Sequence, residues 1–268
     1  MIDLNRKVTV PELRTFKASR VPITMLTAYD ASLARRIDQA GVDCVLVGDS
    51  LGNVIQGRSS TLPVTVDDVA YHARAVARGL DRALLVADLP FMSYHDRPTA
   101  MHSAACLMRA GARMVKLEGG APVVDVVTGL VEQGIPVCAH LGLTPQHVHR
   151  LGGYRVQGRE QAMADALVED ALALQAAGAA LLVVECIPAE LADRVTTSLD
   201  IPVIGIGAGA GVDGQVLVSY DMLGISPGKA PRFVRDFLSA GGGIQQALQA
   251  FVSAVREREF PSPAESYE

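Results

Sequence analysis

Residues 179–188, "AALLVVECIP", place six apolar side chains (Ala179, Ala180, Leu181, Leu182, Val183 and Val184) directly before Glu185. A short, continuous run of this kind reads as a strand buried on both faces, the signature of a parallel sheet. An ionised carboxylate at its end loses hydration, which costs several kcal/mol unless a partner replaces the water. The same arrangement recurs along the chain. Gly41 precedes "VDCVLVGDS", Gly79 "LDRALLVADLP", Gly111 "ARMVKLEGG", Gly134 "IPVCAHLG" and Gly178 the opening stretch. A Gly after a helix supplies the left-handed residue that ends it.

"VPITMLTAYD" and "IPVIGIGAG" fit the same template, with Asp200 in place of Gly before the second. These make seven strand candidates, and "MLGIS" around Gly224 is taken as the eighth. Between them, "ASLARRIDQA", "DDVAYHARAVAR", "TAMHSAACLMRA", "VVDVVTGLVEQ", "QAMADALVEDALALQAA" and "AELADRVTTSL" carry apolar residues three and four apart, as helices do. Asp67 and Pro98 are the expected helix starts. Alternation this regular leaves a (β/α)8 barrel or an open doubly wound sheet, and eight units in 268 residues favour the barrel. No linker divides the chain. The expectation is a single α/β domain, a (β/α)8 TIM barrel over 1–268, with 231–258 as a C-terminal helical extension.

Composition excludes several classes. The chain is 49% hydrophobic with a net charge of -5, and its pI is about 5.7 and mean hydropathy +0.25. There is no basic footprint for nucleic acid and no apolar run of the ~18 residues a membrane span needs. "MIDLNRKVTVPELRTF" has no apolar signal core. Cys44, Cys106, Cys138 and Cys186 form no CxxC pair and read as small core residues of a cytoplasmic protein.

In a barrel the chemistry gathers at the C-terminal ends of the strands. There the repeats bring Asp49, Asp88, Lys116 with Glu118, His140 and Glu185. Lys116 and Glu118, two apart, share a strand face. Singly each has a plain structural role: a helix cap for Asp49, a turn cap for Asp88, an ion pair for Lys116 and Glu118, a hydrogen-bonded His140. Together, four carboxylates at one mouth repel, and one Lys does not balance them, so some are neutral or hold a cation. Oxygen donors favour a hard metal, Mg2+ before Mn2+. Mg2+ takes one or two carboxylates, which leaves one free for proton transfer. Glu185, poorly hydrated and therefore basic, is the candidate. Lys116 suits a substrate carboxylate, and the residues alone point to Mg2+-assisted enolisation of a small 2-oxo acid. Two further segments stay open. "GIGAGAG" (205–211) is either a phosphate cradle or tight packing at the rim. Residues 51–65, long for a βα connection, are either a lid or an ordered excursion.

The motifs "TAYD", "LVGDSLG", "STLPVTVDD", "ADLPFMSY", "RAGARMVKLEGG", "HLGLTPQ", "GGYRVQGR", "ECIP" and "PVIGIGAGAGVDGQVLV" occur in this order. With them the chain closely resembles the ketopantoate (3-methyl-2-oxobutanoate) hydroxymethyltransferases of pantothenate biosynthesis. The resemblance implies a (β/α)8 barrel with one Mg2+ per subunit. The implied reaction carries a hydroxymethyl group from 5,10-methylenetetrahydrofolate to 3-methyl-2-oxobutanoate, giving 2-dehydropantoate. It implies Asp49 and Asp88 as metal and substrate contacts, Glu118 as a metal ligand, directly or through water, and Ser50 and Lys116 as oxo-acid contacts. His140 would be a supporting substrate contact, Glu185 the proton acceptor, and the assembly a homodecamer. The family usually ends in a His-Ser-aromatic tail; here Glu265-Ser266-Tyr267 lacks the His, which bears on the tail and not on the chemistry. The alternative is a Mg2+-dependent oxo-acid lyase or mutase of the phosphoenolpyruvate mutase and isocitrate lyase type. Many of those carry a Cys in a lid loop, and 51–65 has none. A non-catalytic barrel would tolerate loss of Glu185, yet it is present with every partner.

Overall fold

The computed structural model describes residues 6–226 and 228–268; the first five residues of the N-terminal stretch considered above lie outside them. Eight strands close a barrel in sequence order, each parallel to its neighbours, with β8 returning to β1. They are β1 (Ile23–Thr27), β2 (Cys44–Val47), β3 (Leu84–Asp88), β4 (Met114–Glu118), β5 (Val137–Gly142), β6 (Leu181–Glu185), β7 (Val203–Ile206) and β8 (Gly214–Leu217). Seven lie within the apolar runs of the sequence. The eighth corrects it: Met222 ends a short helix, Ser219–Met222, and the strand sits earlier, in "DGQVLV". Four residues opened by Gly214 and Gln215 leave no continuous apolar run to detect. A side chain at Gly214 would come within 2.3 Å of the Ile23 carbonyl oxygen, so the close approach of β1 requires glycine there.

The six expected amphipathic segments all form helices outside the barrel. In Val66–Ala77 the inward residues Val69, Ala70, Ala73 and Val76 recur three and four apart and are buried. Its cap is Thr65 and not Asp67: Thr65 Oγ1 accepts from the Asp68 N–H at 3.2 Å while Asp68 Oδ2 accepts from the Thr65 N–H at 2.9 Å. Asp67 lies in the first turn, where its charge suits the helix dipole. Arg97–Arg109 is capped by Asp96, with Pro98 in its first turn. Within 231–258 only Ile244–Arg256 is an α-helix. Gly241, Gly242 and Gly243, all at positive φ, keep 231–243 in turns.

Register explains why the polar ends meet. Asp88 pairs with Lys116, Glu118 with His140, and Gly142 with Glu185. Side chains of that parity point into the barrel. Two or four residues earlier the same parity carries Val86, Met114, Cys138, Leu181 and Ile204, all fully buried. They form an apolar floor beneath the polar mouth. All four cysteines are free, and Cys44 and Cys138 are core fillers as expected.

Candidate active site

A cavity of about 770 Å³ opens at the C-terminal ends of the strands, and Asp49, Ser50, Asp88, Lys116, Glu118, His140 and Glu185 all line it. The barrel therefore brings every expected site residue to one place. Asp49 lies two residues past the end of β2, where its backbone N–H donates to Asp88 Oδ2 at 3.0 Å. Its neighbour Gly48 has no room for a side chain, because a Cβ would stand 2.8 Å from Ser50 Oγ. Ser50 Oγ in turn shares a hydrogen bond of 2.8 Å with the Tyr29 hydroxyl. Lys116 Nζ lies 2.8 Å from Asp88 Oδ1. His140 joins two strands: Nδ1 is 3.2 Å from Glu118 Oε1, and Nε2 is 3.3 Å from Glu185 Oε2.

Asp49, Asp88, Lys116, Glu118 and His140 are almost wholly buried. Burial first, then the like charges of Asp88 and Glu118, hold the Asp49 carboxyl well above the usual carboxylate range. Burial also raises Asp88, against the pull of Lys116. Burial alone would depress the Lys116 ammonium, but Asp88, Glu118 and Asp49 outweigh it and lift it above the ordinary lysine value. His140 is pulled down by burial and by Lys116, yet its contacts with Glu118 and Glu185 raise it to about 9. Burial would raise Glu118, but the same His140 contact brings it below its ordinary value. Neutral pH thus finds Lys116 and His140 charged beside an ionised Glu118, with Asp49 and Asp88 pushed toward their neutral forms.

Glu185 differs from the other three. Its side chain is 17% exposed, against 3% for Asp88 and 1% for Glu118. It is held at the rim by β6 and by Cys186, a non-glycine residue at φ 48° that turns the chain sharply after Glu185. Among the described residues no three His, Cys, Asp or Glu groups stand together at metal-holding spacing. The group closest to offering a cation oxygen donors is the Asp49–Asp88 pair, with Glu118 behind it.

Four further residues of the site stand in the motifs "TAYD", "ADLPFMSY" and "HLGLTPQ" and in the tail, but nothing in the sequence gives them a role. Gln146, on a turn of 3-10 helix (Pro145–His147) after β5, donates from Nε2 to Asp49 Oδ2 at 2.9 Å. Its backbone N–H donates to Glu118 Oε2 at 3.0 Å. Tyr94 donates its hydroxyl to Gln146 Oε1 at 2.6 Å. Tyr29 supports Ser50, and Tyr267 from the C-terminal tail forms part of the cavity wall beside Phe233. The tail is tied down by Arg235, whose Nε and Nη2 each donate to Glu265 at 2.7 Å. The two open segments also resolve. Bare backbone in "GIGAGAG" makes room for neighbours: a Cβ on Gly207 would lie 2.9 Å from Phe233 and 3.1 Å from Tyr267, and one on Gly209 2.6 Å from Ala189. Packing accounts for these glycines. Residues 51–65 are an ordered excursion, with Leu51, Thr61 and Val64 buried and Asn53, Ser59 and Thr61 on the cavity wall.

A closed parallel barrel with a charged, water-accessible mouth over an apolar floor defines an enzyme of the (β/α)8 class. Solved structures agree on the fold: 2,3-dimethylmalate lyase, a phosphoenolpyruvate mutase/isocitrate lyase superfamily member, is similar with a TM-score of 0.58 at 18% identity, covering 84% of this chain and 83% of that one. Phosphonopyruvate hydrolase, in complex with oxalate and Mg++, is similar with a TM-score of 0.59 at 13% identity, covering 93% and 96%. Identity this low carries the fold alone. The particular family comes from sequence. The ketopantoate hydroxymethyltransferase family model matches residues 7–263. A 3-methyl-2-oxobutanoate hydroxymethyltransferase from Psychromonas ingrahamii is 56% identical over 261 residues, 97% of this chain and 99% of that protein. The chain belongs to the ketopantoate hydroxymethyltransferase family and, with it, to the transferases of pantothenate biosynthesis. The lyase or mutase alternative gives way to this assignment.

Proposed function

We propose that Glu185 takes the C3 proton of 3-methyl-2-oxobutanoate, and that the carbon so activated accepts a one-carbon unit from 5,10-methylenetetrahydrofolate to give 2-dehydropantoate. The observation that carries the reading is the isolation of Glu185. Its side chain is 17% exposed, against 3% for Asp88 and 1% for Glu118, and among the described residues its charged contact is His140, 3.3 Å away.

A Mg2+ ion fits the remaining residues. Three buried carboxylates face one ammonium and one imidazole, and the Asp49 carboxyl, raised first by burial and then by the charges of Asp88 and Glu118, is one whose ionised form a hard cation would favour. Asp49 and Asp88 would hold the ion. Glu118, with both oxygens already engaged by His140 and Gln146, would act through water. When bound, Mg2+ supplies Lewis acidity that lowers the cost of negative charge developing on a keto oxygen. Lys116 would bind the substrate carboxylate, with Ser50 and His140 as further polar contacts. Leu46, Val183, Ile206 and Val216 line the same cavity and offer apolar contact to the branched alkyl end. The donor enters the open mouth; C3 bonds to its methylene carbon and becomes quaternary, the two C–N bonds of that carbon break, water supplies the hydroxyl, and tetrahydrofolate leaves with the proton from C3 and one from water on its two nitrogens.

Family membership supports a homo-oligomer, a decamer by resemblance, of one barrel domain per subunit working in the cytoplasm; sedimentation velocity tests the assembly. Among the described residues no helix is long and apolar enough to cross a membrane.

The test is deuterium exchange at C3 in D2O without folate, with and without Mg2+. Exchange should require Mg2+ and fall by at least ~100-fold in Glu185→Gln, the scale of a lost general base. Near-normal exchange in that variant removes Glu185 as the base; exchange indifferent to Mg2+ removes the metal.

A further inference from the structure

We infer that Gln146 is a positioning residue that fixes which carboxylate oxygens the cluster offers to a cation, and that Tyr94 locks its amide in the orientation this requires. The inference rests on the Mg2+ reading above. Gln146 is 3% exposed, and every polar atom of its side chain is engaged. Nε2 donates to Asp49 Oδ2 at 2.9 Å and to the Leu89 carbonyl at 3.0 Å. The Leu89 carbonyl can only accept, as does Asp49 when ionised. Oε1 receives the Tyr94 hydroxyl at 2.6 Å. A flipped amide would set its oxygen against a carboxylate and a carbonyl, so one orientation is permitted.

The consequence is a division among the acids. The Gln146 backbone N–H occupies Glu118 Oε2 at 3.0 Å, and His140 Nδ1 stands 3.2 Å from Glu118 Oε1. Glu118 is thereby withheld from direct ligation. Asp49 has Oδ2 committed to the amide, which leaves Oδ1 as its oxygen for another partner. One residue, on a turn after β5, thus couples carboxylates carried by β2 and β4. Its type matters as well. An amide supplies donors without charge, whereas a Lys or Arg here would neutralise the cluster and compete with a cation, and a Glu would add to the repulsion. Groups that orient metal ligands by hydrogen bonding typically govern metal affinity or activity by 10–100-fold.

A Gln that is buried and satisfied only for packing would affect stability and nothing else, and this separates the two roles. The measurement is calorimetric titration of Mg2+ alone into wild type, Gln146→Met, Gln146→Asn and Tyr94→Phe, with the melting temperature of each. Gln146→Met, similar in volume, should weaken Mg2+ binding by about 10–100-fold. Gln146→Asn, whose shorter amide falls away from Asp49, should weaken it nearly as much, although the backbone contact to Glu118 survives. Tyr94→Phe should weaken it by a few-fold, because the amide loses its lock and keeps its donors. A lowered melting temperature with Mg2+ affinity within twofold of wild type would overturn the inference and leave the metal reading standing. Absence of Mg2+ binding by wild type itself overturns both. Should the Gln146 variants fail to fold, Tyr94→Phe, which removes one hydroxyl, decides alone.

Discussion

The two ends of the barrel treat buried carboxylates in opposite ways. At the N-terminal end Asp43, fully buried just before β2, is surrounded by donors. Its Oδ2 accepts from the Thr24 backbone and hydroxyl at 2.9 Å each and from Arg256 at 2.6 Å, and Arg82 stands 3.4 Å from Oδ1. One acid meets two guanidinium groups. At the C-terminal end Asp49, Asp88, Glu118 and Glu185 share one ammonium and one imidazole. The lower end is compensated and closed; the upper end gathers more acids than cations, a cluster that a proton or a bound cation must balance. In a (β/α)8 barrel the first pattern belongs to stability and the second to chemistry.

The largest expected effect tests the lower end. Asp43→Ala leaves Arg82 and Arg256 buried or half-buried without their carboxylate, and breaking such a pair costs about 3–5 kcal/mol. Urea denaturation should register that loss, while C3 exchange per folded molecule stays at the wild-type rate. Lost exchange with stability intact would mean that the two ends do not divide the labour.

A smaller effect of opposite sign is expected at the upper end. Asp49→Asn removes one of the repelling charges and keeps an acceptor, Oδ1 of the new amide, for Gln146. Without Mg2+ the variant should be the more stable protein, by about 1 kcal/mol, which moves the melting temperature up by roughly 2–4 °C in a chain of this size. The sign follows from the raised Asp49 carboxyl. A group whose folded value lies above its unfolded one costs nothing below the unfolded value, about 3.9, and destabilises progressively as pH rises from there through the folded value. The advantage of Asn should therefore grow with pH. Calorimetry on the same variant should show weakened Mg2+ binding. A less stable metal-free variant would break the contrast, because it would place Asp49 among the satisfied acids.

Much of this was legible in the chain. β1 to β7 announce themselves because strands buried on both faces are continuous apolar runs, and each site residue follows such a run. β8 was misplaced because Gly214 and Gln215 break the apolar signal where packing against Ile23 demands a bare backbone. Asp67 passed for a cap because it stands beside Thr65, and only hydrogen-bond geometry separates them. Gln146 and Tyr94 stand in quoted motifs, "HLGLTPQ" and "ADLPFMSY", yet their role stays hidden for a different reason. Neither lies in a periodic segment, and an amide or phenol in a loop has no distinguishing chemistry until the fold sets it against a carboxylate. The tail was equally silent, since nothing in "PAESY" says that Tyr267 returns to the cavity wall.

That tail supplies the smallest effect and the finest test of the contrast. Glu265 also lies at the upper end, yet Arg235 holds it with two hydrogen bonds of 2.7 Å, so it behaves as the lower end does. Burial would raise its carboxyl, but Arg235 and Ser262 outweigh burial and bring it below the ordinary glutamate value. A depressed carboxylate adds stability that is present above its unfolded value, about 4.3, and is lost as pH falls through the folded one. The pair is partly solvated, so its contribution belongs with surface ion pairs, about 0.2–1 kcal/mol. Wild type should exceed Glu265→Gln in stability by that amount at pH 7, and the two should converge on acidification below pH ~4. A gap that persists undiminished under acid would assign the effect of the substitution to packing and remove charge as the tie between the tail and the barrel. If the curves converge, position in the barrel does not by itself frustrate an acid. What sets Asp49 and Asp88 apart is the lack of a guanidinium like that of Arg235, and that lack is what leaves them available to a metal.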